Sequence, residues 1–166
     1  MEILDDFNIE EKYSNKEHEW ALFIGERADY YLPIWKKIEQ GEQIHFNLAA
    51  LVFSTMWLAY RKMYLPFLLF IGALFFGGFA TSFFAISNDY KLAYQGIQWV
   101  FYFWLALRGN KLYYDHAQRT IQKIKQTHPN IQKQHSEIQR QGNVNAMFPI
   151  IIIVISIIFN MIIRFV

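Results

Sequence analysis

Residues 65–87, LPFLLFIGALFFGGFATSFFAIS, form a stretch without a single ionisable side chain. As an α-helix rising 1.5 Å per residue, this stretch is roughly 34 Å long, enough to cross a hydrocarbon core of about 30 Å. The mean hydropathy of the whole 166-residue chain is nevertheless a neutral +0.08, so apolar and polar residues must be segregated along the sequence. The stretch therefore predicts a transmembrane helix and argues against a single soluble core.

Two further stretches have the character of membrane spans. Residues 92–107 lie between Lys91 and Arg108 and reach roughly 24 Å, which is sufficient if the flanking side chains extend to the interfaces. Residues 146–163 reach roughly 27 Å and are followed by Arg164. The sequence thus predicts three transmembrane helices, the last within a C-terminal segment 146–166.

Residues 46–60 are harder to assign. As a helix they reach only about 22 Å, and they include Asn47, Ser54 and Thr55. Asn47 is a typical helix N-cap residue. Arg61 and Lys62, which follow the segment, indicate a helix end at the headgroup layer. We expect one short helix here, which either spans the bilayer, enters and leaves it on the same side, or lies in the interface.

Charge is distributed unevenly between the two ends of the chain. Residues 1–44 carry 11 of the 14 acidic and 5 of the 16 basic residues, a net charge of −6, whereas the remainder has a net charge of +8. Because Lys and Arg are enriched in cytoplasmic loops, the basic segment 108–145 is predicted to be cytoplasmic. We place the acidic segment 1–44 on the same side, where its charge complements that of the basic segment.

The polar segments contain helix signals of their own. Ser14 and Glu17 give a capping-box pattern for a helix over residues 15–24 that ends at Gly25. Residues 28–38 form an amphipathic helix closed by Gly41, whose apolar face either lies on a membrane or partner, or packs Trp20 against Trp35 in a small helical domain. Residues 108–145 predict a cytoplasmic hairpin, in which Asn110 caps one helix, residues 128–130 end it, and 131–141 form a second.

Two clusters have distinctive spacing, residues 57–64 (WLAYRKMY) and 109–116 (GNKLYYDH). Together with residues 28–31 (ADYY) and 45–50 (HFNLAA), they resemble a widespread bacterial family of small inner-membrane proteins that is known only as a domain of unknown function. The resemblance covers roughly residues 20–125. It implies a multi-pass protein of the bacterial inner membrane and brings with it no reaction, cofactor or catalytic residue.

The same two clusters are candidates for a membrane-interface site. Aromatic rings favour headgroup depth, and Arg or Lys side chains there meet lipid phosphates. The two interpretations are simple anchoring and a site for a lipid headgroup or partner. The candidate residues are Trp57, Tyr60, Arg61, Lys62, Tyr64, Arg108, Tyr113 and His116.

Small and amide side chains within the predicted spans indicate helix packing. Small residues let helix backbones approach closely, and amides or hydroxyls three or four residues apart can bond a neighbouring helix. The alternatives are packing within one chain and association with a second copy or a partner. The candidate residues are Ala73, Gly77, Gly78, Thr81, Gln95, Gln98, Ser156 and Asn160.

Catalytic and cofactor motifs are missing from the sequence. There is no cysteine, the five histidines show no metal-binding spacing, and no phosphate loop or nucleophile elbow is present. No ionisable residue lies inside a predicted span, which disfavours ion-coupled transport. We therefore expect no enzymatic activity, no cofactor, no metal and no nucleic-acid partner.

These patterns predict an all-α integral membrane protein with three transmembrane helices, one short or re-entrant membrane helix and cytoplasmic amphipathic helices. The leading functional hypothesis is a non-enzymatic interaction protein of the inner membrane, an accessory, assembly or regulatory subunit of a membrane complex. Its expected partners are membrane lipids and a membrane protein or a second copy. The alternative hypothesis is a homo-oligomeric channel or permeability-altering protein, connected with stress or defence.

Overall fold

The computed structural model describes residues 14–84 and 88–165, and every regular element within these ranges is helical, as predicted. A 3-10 turn, Gly25–Arg27, joins the first two α-helices. The α-helices in chain order are α1 (Asn15–Ile24), α2 (Ala28–Glu39), α3 (Leu48–Phe53), α4 (Thr55–Tyr60), α5 (Tyr64–Phe83), α6 (Asn88–Thr127), α7 (Ile131–Gly142) and α8 (Met147–Phe165).

The helices divide between two compact units. The first, here called the polar unit, comprises the described residues of 1–46 and 107–144, so the described part of the acidic N-terminal segment folds together with the basic segment. The second, the apolar unit, comprises the described residues of 47–106 and 145–166. Each unit combines segments that are distant in the sequence, and α6 contributes residues to both.

Local capping signals set the helix ends of the polar unit. The Ser14 side chain accepts a hydrogen bond from the Glu17 backbone amide and thereby satisfies one donor of the first turn of α1. Gly25, with φ of 74°, ends that helix in a conformation that favours glycine. The Asn130 side chain caps α7 by accepting from the Lys133 amide. The predictions for residues 15–24 and 131–141 are confirmed to within one residue.

Helix α2 continues through Pro33 and packs its apolar face inside the polar unit. Tyr31, Leu32, Trp35 and Ile38 are all buried. The Trp20 and Trp35 rings meet edge to face, with centroids 5.8 Å apart. Of the two interpretations of this face, packing within a small helical domain is confirmed, and the face is not open to a membrane or partner.

The predicted helix break at Asn110 is wrong. Helix α6 runs without interruption for 40 residues, through both the predicted span 92–107 and the first helix of the predicted hairpin. Asn110 is fully buried, and its side-chain amide donates a hydrogen bond to the His45 carbonyl oxygen at 3.1 Å. The side chain therefore joins two segments of the polar unit instead of capping a helix.

The single short helix expected over residues 46–60 is instead two helices of six residues each. Asn47 caps the first, as predicted, by accepting from the Ala50 amide at 2.9 Å. Ser54 separates the two with φ of 48° and ψ of −125°, a conformation that an α-helix cannot contain. Each helix is roughly 9 Å long, so neither can cross a bilayer by itself.

Two helices of the described chain are long and apolar enough to cross a membrane. One is α5, Tyr64–Phe83, and the other lies in the stretch Ile131–Ile158, whose apolar part belongs to α8. Helix α5 begins one residue before the predicted span 65–87 and ends at Phe83, and residues 85–87 lie outside the described residues. The predicted span 92–107 is not one of these two, since Gln95 and Gln98 reduce its hydropathy.

Candidate functional site

The motif at residues 109–116 builds the aromatic core of the polar unit. Tyr113 is fully buried and its ring lies 5.2 Å from both the Tyr31 and the Trp35 rings. The Tyr114 ring contacts those of Trp20 and Trp35 at 5.7 and 5.6 Å. This burial does not fit the predicted interface role of Tyr113, because its ring cannot reach a lipid headgroup from there.

Ion pairs connect the helices around this core. Lys125 on α6 meets Glu19 on α1 at 2.6 Å, and Lys36 on α2 meets Glu17 on α1 at 2.9 Å. Lys16 also pairs with Glu39. The Lys125 pair joins the acidic and basic segments of the sequence, as their charges suggest.

Three side chains at this core have shifted pKa values. Burial raises the pKa of Tyr114, and the Glu39 carboxylate raises it further. Hydrogen bonding to Glu39 raises the pKa of Lys16. Burial lowers the pKa of His116, with a further contribution from the Arg119 guanidinium. The shifts of Tyr114 and His116 favour their neutral forms, and the shift of Lys16 favours its charged form.

Only part of the motif at residues 57–64 remains accessible in the apolar unit. Trp57 and Arg61 each expose only 3% of their surface, whereas Tyr60 and Lys62 are half-buried and Tyr64 is exposed. The Arg61 guanidinium lies 5.6 Å from the Tyr60 ring centroid, within range of a cation–π contact. The interface role expected of Trp57 and Arg61 thus conflicts with their burial.

The motif also holds the start of α8 in the apolar unit. The Asn145 backbone amide donates to the Tyr60 carbonyl oxygen at 2.9 Å, and its side-chain amide donates to the Tyr64 hydroxyl at 3.0 Å. The Tyr64 ring packs edge to face on that of Phe148, 5.1 Å away. Tyr60 and Tyr64 therefore position the start of this helix.

The remaining predicted interface residues belong to the polar unit. Arg108 is half-buried and donates to the Gln43 side-chain oxygen at 2.8 Å. His116 is half-buried beside Phe23, with ring centroids 6.0 Å apart. Both side chains make contacts within their own unit.

The small residues of α5 receive a tyrosine from α6. A Cβ atom on Gly77 would lie 2.5 Å from the Tyr94 ring, so any larger residue at this contact would displace the ring. The Tyr94 hydroxyl donates to the Leu74 carbonyl oxygen, and the Phe70 and Phe101 rings meet 4.1 Å apart. Gly77 and Gly78 thus pack within the chain, which was one of the two alternatives.

The other predicted packing residues have a different environment. Ala73 and Gln95 are exposed, and Gln98 is half-buried. The polar side chains of the two spans bond their own helices, since Thr81 donates to Gly78 and Asn160 to Ser156. The hydrogen bonds to neighbouring helices that the spacing of Ser156 and Asn160 suggested are not formed between described residues.

An open groove in the apolar unit contains Ser156 and Asn160. Met56 of α4 lines it together with residues of α8, and its volume is about 440 Å³. Apart from these two polar side chains its lining is apolar. Among the described residues there is no group of three or more His, Asp or Glu side chains that could hold a metal ion.

Sequence reasoning missed Tyr94, Met56 and the buried role of Asn110. The Tyr94 contact could have been predicted from the spacing of the two helices along the sequence. In an antiparallel helical hairpin, residues that face each other lie at equal distances in sequence from the turn, as the pairs 70/101 and 77/94 do. For Met56 and Asn110 the partners lie about 100 and 65 residues away, and no local pattern points to them.

Comparison with known families gives one match over most of the chain. The family model described as "Protein of unknown function (DUF2628)" matches residues 7–119, a range that contains both sequence motifs. No curated protein and no solved structure matches the chain. Because the matched residues make up more than half of the sequence, the chain belongs to the DUF2628 family, whose function is not known.

Proposed function

We propose that this protein is a non-enzymatic interaction protein of the bacterial inner membrane, an accessory, assembly or regulatory subunit of a membrane complex. The proposal rests on how apolar side chains are distributed between the two units. The polar unit buries most of its large aromatic side chains, namely Trp20, Phe23, Tyr31, Trp35 and Tyr113, whereas only 6% of the apolar window of α5 and 11% of that in the stretch 131–158 are buried. Contiguous exposed apolar surface marks contact with membrane or protein.

In this proposal the apolar unit lies in the bilayer. Phe75, Phe76 and Leu69 of α5 expose between 66% and 76% of their surface, which is costly in water and favourable in hydrocarbon. The segment 92–107 is the third span in this arrangement, and α3 and α4 form the short re-entrant or interfacial element. The excess of Lys and Arg in the polar unit's basic segment supports a cytoplasmic position for it.

The polar unit would then present the surface that binds a partner. The side chains of the motif at residues 109–116 are used in packing, so a partner would bind to the exposed faces of the unit's helices. Arg119, Gln122, Lys123 and Gln126 recur at helical spacing on α6, and all four are exposed. This basic face, here called the α6 face, suits an acidic surface of a membrane-protein partner, with anionic lipid as a further contact.

Photo-crosslinking in cells tests the proposal. We expect a photoreactive residue at Gln122 to capture one membrane protein in stoichiometric amount, and Lys123→Glu to reduce that capture by reversing the local charge. The matched control is the same probe at Glu26, which is exposed outside the α6 face. A lone monomer after mild-detergent purification, with nothing captured from Gln122, would contradict the proposal.

The channel hypothesis has one observation in its favour. Gln95 is an exposed amide within the apolar stretch of α6, and Gln98 lies on the same face one turn further on. Amides in such positions can line a polar path between copies. Ion flux through liposomes of the pure protein, reduced in the Gln95→Leu Gln98→Leu variant, would support a channel, and no flux under any condition would exclude it.

A further inference from the structure

The groove of the apolar unit points to a specific contact of α8. Ile153, Ser156, Ile157 and Asn160 recur at intervals of three and one residues, which places them on one face of that helix. Met56 of α4 lines the groove beside this face, and the groove is open rather than enclosed. Ser156 and Asn160 are both exposed, so their side chains can be reached by whatever fills the groove.

The hydrogen bonds of these two polar residues are only partly satisfied. The Ser156 hydroxyl donates to the Ile152 carbonyl oxygen at 2.8 Å, and one amide hydrogen of Asn160 is directed to the Ser156 carbonyl oxygen at 2.8 Å. Within the described chain, the Asn160 side-chain oxygen and second amide hydrogen have no partner. In hydrocarbon an unpaired amide costs several kcal/mol, so an acyl chain alone is a poor occupant.

An asparagine on a second copy can bond both the side-chain oxygen and the second amide hydrogen of Asn160. A carboxamide is donor and acceptor at once, so two of them related by a two-fold axis can bond each other. The small side chain of Ser156, one turn away on the same face, permits the close approach that this contact requires. A lipid tail has neither donor nor acceptor.

We propose that the α8 helices of two copies pack face to face along this groove, with the two Asn160 amides hydrogen-bonded across the interface. The inference rests on the proposed membrane position of the apolar unit. It names a second copy of this chain as a partner, in addition to any protein bound at the α6 face.

Disulfide crosslinking in liposomes of the pure, full-length protein tests this interface. Because the sequence contains no cysteine, each introduced cysteine reports only on its own position. Ile153→Cys places the thiol on the proposed interface, and Ile155→Cys places it about 200° away around the helix as the matched control. We expect oxidation to give disulfide-linked dimers from Ile153→Cys and few from Ile155→Cys.

Replacement of the amide provides the second part of the test. With Ile153→Cys as reporter, Asn160→Leu should lower the dimerisation constant about tenfold, as measured by the crosslinked fraction at increasing lipid dilution. Asn160→Gln retains the amide and should restore part of the loss. Equal yields at positions 153 and 155, or no effect of Asn160→Leu, would overturn the interface.

A membrane-impermeant maleimide separates this proposal from the one on which it rests. Reaction of both cysteines in intact liposomes would contradict the membrane position itself. Protection of both cysteines without crosslinking would leave that position standing and overturn the dimer, since lipid or another protein would then fill the groove.

Discussion

The two units use the same types of large side chain in opposite ways. In the polar unit the Trp35 ring contacts both Trp20 and Tyr113, and all three side chains are almost completely buried. In the apolar unit Phe75, Phe76 and Trp99 expose between 65% and 76% of their surface. The polar unit excludes water from its aromatic side chains by packing on itself, whereas the apolar unit leaves apolar surface exposed, as is typical of a surface that contacts a membrane or another protein.

Truncation of one phenylalanine in each unit should show the difference between the two units most clearly. Phe23 is fully buried in the polar unit, whereas Phe76 is 72% exposed on α5. We expect Phe23→Ala to reduce the free energy of unfolding by ~3–5 kcal/mol and Phe76→Ala by less than ~0.5 kcal/mol. Thermal unfolding in mild detergent measures both, and equal losses would contradict the contrast between the units.

The contact between α5 and α6 gives a second, smaller effect within the apolar unit. Gly77→Leu would force the new side chain into the Tyr94 ring, at a cost of ~1–3 kcal/mol. Gly72→Leu on the same helix is the control, since a Cβ atom added at Gly72 would meet nothing within 4 Å. If the two variants unfold at the same temperature, Tyr94 does not pack where the structure has it.

Relief of backbone strain at Ser54 should stabilise the apolar unit slightly. At φ of 48° and ψ of −125° glycine is favoured over any residue with a Cβ, so Ser54→Gly should add about 1 kcal/mol to the free energy of unfolding. Ser54→Ala also removes the buried hydroxyl but retains the strain, and we expect it to be less stable than Ser54→Gly. The reverse order of the two melting temperatures would refute a strained break at this position.

The smallest expected effect concerns pH and His116. Its pKa is lowered by burial and by Arg119, whereas in the unfolded chain it has its ordinary value of about 6.5. Below that value the unfolded chain binds a proton that the folded chain does not, so stability decreases as the pH falls toward the folded-state pKa. His116→Asn should flatten this part of the stability profile, and parallel profiles for variant and parent would disprove the assignment.

Local signals in the sequence predict the helix ends well. Ser14, Gly25 and Asn130 act within three residues of themselves, so their roles depend little on the rest of the fold. Uninterrupted apolar stretches likewise predict α5 and α8, because length and hydropathy are properties of a single segment.

Tertiary contacts account for what the sequence did not predict. Asn110 has the local features of a helix cap, but its amide bonds His45, 65 residues away, and α6 continues through it. Tyr113 resembles an interface anchor because it follows an apolar stretch, yet it is buried by Tyr31 and Trp35. Patterns within a single segment do not contain such long-range contacts, and the positive φ at Ser54 has no glycine to indicate it.

Cysteine labelling in native membranes most directly tests the claim that the exposed apolar helices lie in the bilayer. The chain has no cysteine of its own, so Phe76→Cys on α5 and Lys123→Cys on α6 are clean reporters of two exposed positions. Once both membrane faces are accessible, a polar maleimide should label Lys123→Cys rapidly and Phe76→Cys only after the membrane is dissolved in denaturing detergent. Equal labelling of the two in intact bilayers would contradict the account.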